Sequence, residues 1–170
     1  MNKAPGLARR MAAFIYEGVL LFGVVMISGF LYSVITQHRH ALEGRVGMMV
    51  FLFIVLGVYF SWFWSRGGQT VAMKAWHIRL VAADGTPVSR ARAVARYLLS
   101  WLWFLPATAA VYVAGLQGKG EVTVAVIAGV LAYAALVWLR ADRQFWHDVV
   151  CGTQVIDCKP ALPTKAKSGP

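Results

Sequence analysis

The chain has 170 residues, of which 59% are hydrophobic and 14% charged. A soluble domain carries roughly a quarter charged residues and under half apolar ones, so much of this chain is built for lipid rather than water. The formal net charge is +10, but the basic residues lie between long apolar runs instead of forming a patch on a soluble fold. That pattern argues against nucleic acid as a partner and for topogenic charge and contact with anionic lipid headgroups.

A spanning helix needs roughly 20 predominantly apolar residues. Four segments meet that need, at about residues 10–35, 46–64, 93–116 and 122–139. Lys3, Arg9 and Arg10 precede the first apolar run in the manner of a signal peptide. The run continues to Thr36, far beyond an h-region of about 7–15 residues, so a retained helix is expected. The second segment has no charge. The third carries Arg96 near its start and Pro106 in its middle. Proline removes a backbone donor and clashes with the preceding turn, which predicts a kink there. Residues 160–170 are polar and expected to be a disordered cytoplasmic tail, leaving residues 1–159 as a single domain.

Lysine and arginine bias sets orientation. Arg39, Arg45 and Lys119 fall on one side, and the other 14 of the 17 basic residues, Lys165 and Lys167 of the tail included, fall on the opposite side. Both termini and the connection between the second and third helices are therefore expected in the cytoplasm. Trp62, Trp64, Tyr97, Trp101, Trp103, Trp138 and Trp146 fall near helix ends, where such rings favour the headgroup zone.

Two cytoplasmic segments are more than loops. In residues 67–92, Gly67 and Gly68 end the second helix. Val71, Met73, Ala75 and Trp76, beside Lys74 and His77, suit a short interfacial helix. An apolar stretch and an Asp84-Gly85 turn follow, reading as a strand. In residues 141–158, Phe145, Trp146 and Val149 suit a second interfacial helix capped by Gly152, and TQVID reads as another strand. Strands over 78–82 and 153–157 are expected to pair as a small ribbon against the bundle, since two strands alone are marginal. The fold class is an all-α membrane protein with four transmembrane helices, short interfacial helices and a small cytoplasmic β-ribbon.

Three blocks carry a resemblance: RRMAAFIYEGVLL from Arg9, GGQTVAMKAWHIRLVAADGTPVSRARAVARYLL from Gly67, and RQFWHDVVCGTQVID from Arg143. In order and spacing they resemble the RDD family of small bacterial membrane proteins, named for one arginine and two aspartates. The likeness places the arginine on Arg10 and the last aspartate on Asp148. The middle position, seven after the arginine, is Glu17 here. That departure keeps the charge and extends its reach by one methylene. The resemblance implies a multi-pass protein of the bacterial inner membrane, with cation/proton exchange as one activity discussed for the family.

Read from the residues alone, Arg10 and Glu17 share a helix face nearly two turns apart. A carboxylate in hydrocarbon costs on the order of 2.5 kcal/mol or more, so Glu17 needs a neighbouring donor, a cation or a proton. Arg10, Arg92 and Arg96 are the candidate cations, and Arg96 reaches furthest into the apolar run. His147 precedes Asp148, whose carboxylate is expected to accept from Thr153, local backbone or an arginine. An adjacent His-Asp pair lacks the ligands of a metal site or hydrolase, and no nucleophile, P-loop or dinucleotide motif occurs. Cys151 and Cys158 match no zinc or redox spacing and are expected reduced. No metal, cofactor or enzymatic activity is expected. Two functions stay open: a carrier that exchanges a proton with a cation or small solute at Glu17, with Asp148 as a second candidate acid and Arg10 or Arg96 tuning the site, shared within a homo-oligomer, and a non-transporting scaffold, assembly partner or lipid-binding regulator.

Overall fold

The structure, a computed structural model, describes residues 4–36 and 44–159. The tail at 160–170 and the charges Lys3, Arg39, Lys165 and Lys167 lie outside the described residues.

Helix α1 runs over Leu7–Thr36 and α2 over Arg45–Arg66. A third long segment consists of α4, Arg90–Ser100, a 3-10 turn at Trp101–Trp103, and α5, Leu105–Val113. The fourth consists of α6, Lys119–Ala135, and a 3-10 turn at Leu136–Leu139. Four helical segments are thus long and apolar enough to cross a membrane. Their outer faces show Phe22, Met26, Phe30 and Leu131 to the surroundings. Apolar surface this continuous is stable only when covered by lipid or protein.

Between the second and third segments lie the short helix α3, Val71–Ala75, and strand β1, Ile78–Ala82. Helix α7, Trp146–Val150, and strand β2, Thr153–Asp157, follow the fourth segment. The strands pair antiparallel with Leu80 opposite Val155. Local chemistry explains each start. Thr70 caps α3 by accepting from the Met73 amide at 3.2 Å, and Ser89 caps α4 from the Arg92 amide at 3.3 Å. Asp84 accepts from the Thr86 amide at 2.9 Å and closes the turn after β1. Gly152, at φ 61°, sends its amide to Val149 and ends α7.

Two glutamines extend the ribbon. Gln144 exchanges two hydrogen bonds of 3.0 Å with the backbone of Val155, much as a third strand would. Gln69 donates to the Ile78 carbonyl at 2.8 Å. Ile78, Leu80 and Val155 then pack with Ala13, Trp64, Ala93 and Tyr97, so the ribbon closes against the ends of the bundle.

The third segment departs from expectation. Pro106 does not kink the middle of a continuous helix; it sits in the first turn of α5, and the break falls upstream at Trp101–Phe104. In a first turn the missing amide has no helical partner to lose and the fixed φ is already helical. The proline ring would clash with the carbonyl four residues back, at Leu102, and there the chain has tightened to a 3-10 turn. The tryptophans also divide differently. Trp64, Tyr97 and Trp103 are buried between elements, whereas Trp62, Trp138 and Trp146 are exposed.

Gly68 adopts φ 68°, and its carbonyl accepts from the Leu80 amide at 2.7 Å. A side chain there would be strained and would collide with the Leu80 carbonyl. Gly68→Ala should therefore destabilise the fold by about 1–3 kcal/mol. Gly67→Ala, in open space, should change stability by well under half of that. Thermal unfolding in detergent, read by intrinsic tryptophan fluorescence, checks the pair.

Candidate functional site

The first third of α1 runs beside α3, the ribbon and the segment leading to α7. Arg9 reaches Asp157 of β2 at 2.5 Å. Arg10 turns the other way. Its Nη2 donates to the Arg143 carbonyl at 2.8 Å, and its guanidinium lies 4.4 Å from the centre of the Phe145 ring. Its Nε and Nη1 are buried with no protein partner among the described residues.

Asp148 has no accessible surface. Its Oδ1 accepts from Arg96 Nε at 2.6 Å and lies 3.5 Å from His147 Nε2. Arg96 in turn stacks its guanidinium 4.1 Å from the Trp64 ring centre. Of the expected donors to the Asp148 carboxylate, Thr153, local backbone or an arginine, the arginine is the one seen, and Thr153 donates to the Asp148 backbone carbonyl at 3.0 Å. Burial works to raise the Asp148 pKa, but Arg96, His147 and Arg10 outweigh it and hold the carboxyl below the usual range.

His147 bonds through Nδ1 to the Tyr133 hydroxyl at 2.8 Å. With the Tyr133 proton on that bond, the imidazole carries its own proton on Nε2, facing Asp148. Burial pushes its pKa down to about 4, only partly opposed by the Asp148 carboxylate, so the ring is neutral near pH 7. Phe145 stacks on it at 5.6 Å between ring centres.

Glu17 stands apart from the arginines. Of the three expected outcomes, a neighbouring donor, a cation or a proton, its surroundings supply donors: its Oε1 accepts from Tyr59 at 2.7 Å, and its Oε2 accepts from the Thr70 hydroxyl. Thr70 Oγ1 already accepts from the Met73 amide, which leaves its proton free for Glu17. Arg96 is committed to Asp148 instead. Arg92 is exposed in the first turn of α4, and among the described residues it makes no ion pair. The buried face of α4 is Ala93, Arg96 and Tyr97, so Arg92 and Arg96 do not share an environment.

Arg10, Glu17, Arg96 and His147 all line one cavity of about 390 Å³ between α1, α2 and the third segment. Its remaining walls are largely aromatic and aliphatic, including Phe14, Leu21, Leu56, Phe60 and Trp103. Among the described residues no group of three or more His, Cys, Asp and Glu side chains is arranged to hold a metal.

The sequence motifs missed Tyr59, Thr70 and Tyr133. Each is a neutral hydroxyl from a distant element, and only the Gly67-Gly68 break before Thr70 gave a signal nearby.

The model of the RDD family matches residues 4–152. The chain belongs to the RDD family. RDD proteins are membrane proteins, in agreement with the four apolar segments. No curated protein and no solved structure matches the chain. Arg10 is electrostatically linked to Asp148, and Arg10 and Glu17 line the same cavity.

Two outcomes follow from this geometry. Breaking a buried pair by Asp148→Asn should cost about 3–5 kcal/mol, and the double change Arg96→Leu/Asp148→Leu should cost less than the sum of its parts. Unfolding in detergent, combined as a double-mutant cycle, measures both. The His147 pKa is depressed in the fold, so its contribution is present above about pH 6.5 and is lost as pH falls to about 4. The full shift is worth roughly 3 kcal/mol. His147→Gln should flatten the pH dependence of stability in that window.

Proposed function

We propose that this RDD protein is a multi-pass carrier of the bacterial inner membrane that exchanges a proton with a cation or small solute at Glu17. One observation carries the proposal. Glu17 is a buried carboxylate with no arginine or lysine within ion-pair distance among the described residues, held by two hydroxyls on the wall of a cavity between apolar helices. Such a group changes charge with few consequences for packing, because Tyr59 and Thr70 bond to it without themselves being ions. An ionisable group at such a position is a functional site by default. Arg96 and Asp148 serve a different end, since each already neutralises the other.

In this proposal the ribbon, α3 and α7 lie on the cytoplasmic side with both termini. The support is charge: Arg66 closes α2 and Arg90 opens α4 on that side, whereas Arg45 and Lys119 begin α2 and α6 on the other. The reaction is transport and not enzymatic conversion, and anionic headgroups surround the basic face. Four segments enclose a continuous path when shared within a homo-oligomer.

A second reading, a non-transporting assembly partner or lipid-binding regulator, rests on the Arg96–Asp148 pair. That pair fixes the closing segment to the bundle, which is architecture.

Purified protein in vesicles separates the two. A sodium or potassium gradient should drive proton movement, read by an internal pH dye, and Glu17→Gln should reduce it at least tenfold with unfolding unchanged. Absence of flux for every small cation tried leaves the second reading standing. Orientation has its own test: a C-terminal fluorescent protein should glow and a C-terminal alkaline phosphatase should be inactive.

A further inference from the structure

We infer that the cavity is a lateral binding site for one anionic phospholipid, with its phosphate at Arg10 and an acyl chain lying along α1 towards Leu21. Arg10, Arg96 and His147 line the cavity, as does Trp64 of α2. Leu21 lies further along α1 than Arg10, and Leu56 lies earlier in α2 than Trp64, so these two walls lie away from the charged end. Arg10 and Leu21 are eleven residues apart, which is roughly 16 Å along a helix. That is close to half of a hydrocarbon core about 30 Å thick. The cavity therefore has the span of one leaflet, charged at one end and apolar at the other.

Charge decides the sign of the head. Asp148 is the acid beside Arg96, at 2.6 Å, whereas Arg10 has no carboxylate within ion-pair distance among the described residues. Arg10 is 5% exposed, and both its Nε and its Nη1 are unpartnered donors. Buried donors without acceptors are costly, and a guanidinium favours phosphate oxygens above other anions. Glu17, the remaining charged group on the wall, is occupied by Tyr59 and Thr70 and lies about 10 Å further along α1 than Arg10. The side is open for entry, because Ile15 and Gly18 on the rim are exposed. A side chain at Gly18 would meet nothing within 4 Å.

The site shares its cavity with Glu17 but does not require Glu17 to carry a proton, so it is tested without any gradient. Native mass spectrometry of the detergent-purified full chain, titrated with phosphatidylglycerol, should show one bound lipid. Phosphatidylcholine should bind at least tenfold more weakly, and soluble glycerol phosphate should not compete at equal concentration. Arg10→Gln should lower phosphatidylglycerol occupancy at least tenfold. Gly18→Phe, which leaves every charge in place and fills the chain end, should do the same with unchanged thermal unfolding. Equal binding of the two lipids overturns the proposal. So does competition by glycerol phosphate, or undiminished binding by a folded Gly18→Phe protein. Loss of lipid binding in that variant with proton flux retained separates this proposal from the carrier.

Discussion

The arrangement hangs on the ion pair between Arg96 and Asp148. Removing two charges from water costs several kcal/mol per ion, and their attraction repays it only when the geometry is good and the remaining valences are used. Here the Nε–Oδ1 distance is 2.6 Å, and the other face of the guanidinium lies against Trp64. His147, held by Tyr133, turns a proton towards the same Oδ1, while Oδ2 is buried with no hydrogen-bond partner among the described residues. The pair joins α4 to α7, elements 52 residues apart in the chain. Once α7 is fixed, β2 follows within three residues of its end and meets β1. Strand β1 is bonded to Gly68 and Gln69, which set the position of Thr70. One buried contact thus determines, through the ribbon, where the hydroxyl that holds Glu17 can lie.

Glu17 and Asp148 illustrate two ways of keeping an acid out of water. Asp148 has cations on its doorstep, and its charge is fixed by them. Glu17 has neutral donors, so nothing in its surroundings compels one charge state to the same degree. The glutamate at this position also explains its partners in steric terms. Its extra methylene lets the carboxylate leave the surface of α1 and reach both α2, at Tyr59, and the cap of α3, at Thr70. An aspartate would project less far from the same backbone.

The periodic features were legible in the sequence. The apolar runs gave the four long segments, an apolar stretch before the Asp84-Gly85 turn gave Ile78–Ala82, and TQVID gave Thr153–Asp157, the two strands that pair. These depend on local pattern, which a chain displays openly. Pro106 shows the limit of a local rule: the proline was correctly taken as incompatible with a regular helix, but the disruption moved to Trp101–Phe104, where the aromatic rings of Trp103 pack on Phe14, Tyr133 and Phe145. The partners of Glu17 were not legible, because attention to charge favours arginines, and a hydroxyl 42 or 53 residues away carries no distinguishing mark. Arg92, one of the candidate cations, lies on the exposed side of α4, because burial is decided by what packs there, and Ala93, Arg96 and Tyr97 occupy the inner surface.

The length of α1 ties these observations together. Its 30 residues extend about 45 Å, well beyond a hydrocarbon core of about 30 Å. At its start Arg9 meets β2 and Arg10 meets Arg143, and further along Glu17 meets Thr70. Polar side chains are affordable along this stretch because non-helical backbone, which itself needs hydrogen-bond partners, is packed beside it. Past Glu17 the same helix exposes Phe22, Met26 and Phe30. The polar cluster and the apolar cleft are therefore consecutive parts of one helix. A molecule touching both must itself be charged at one end and oily at the other.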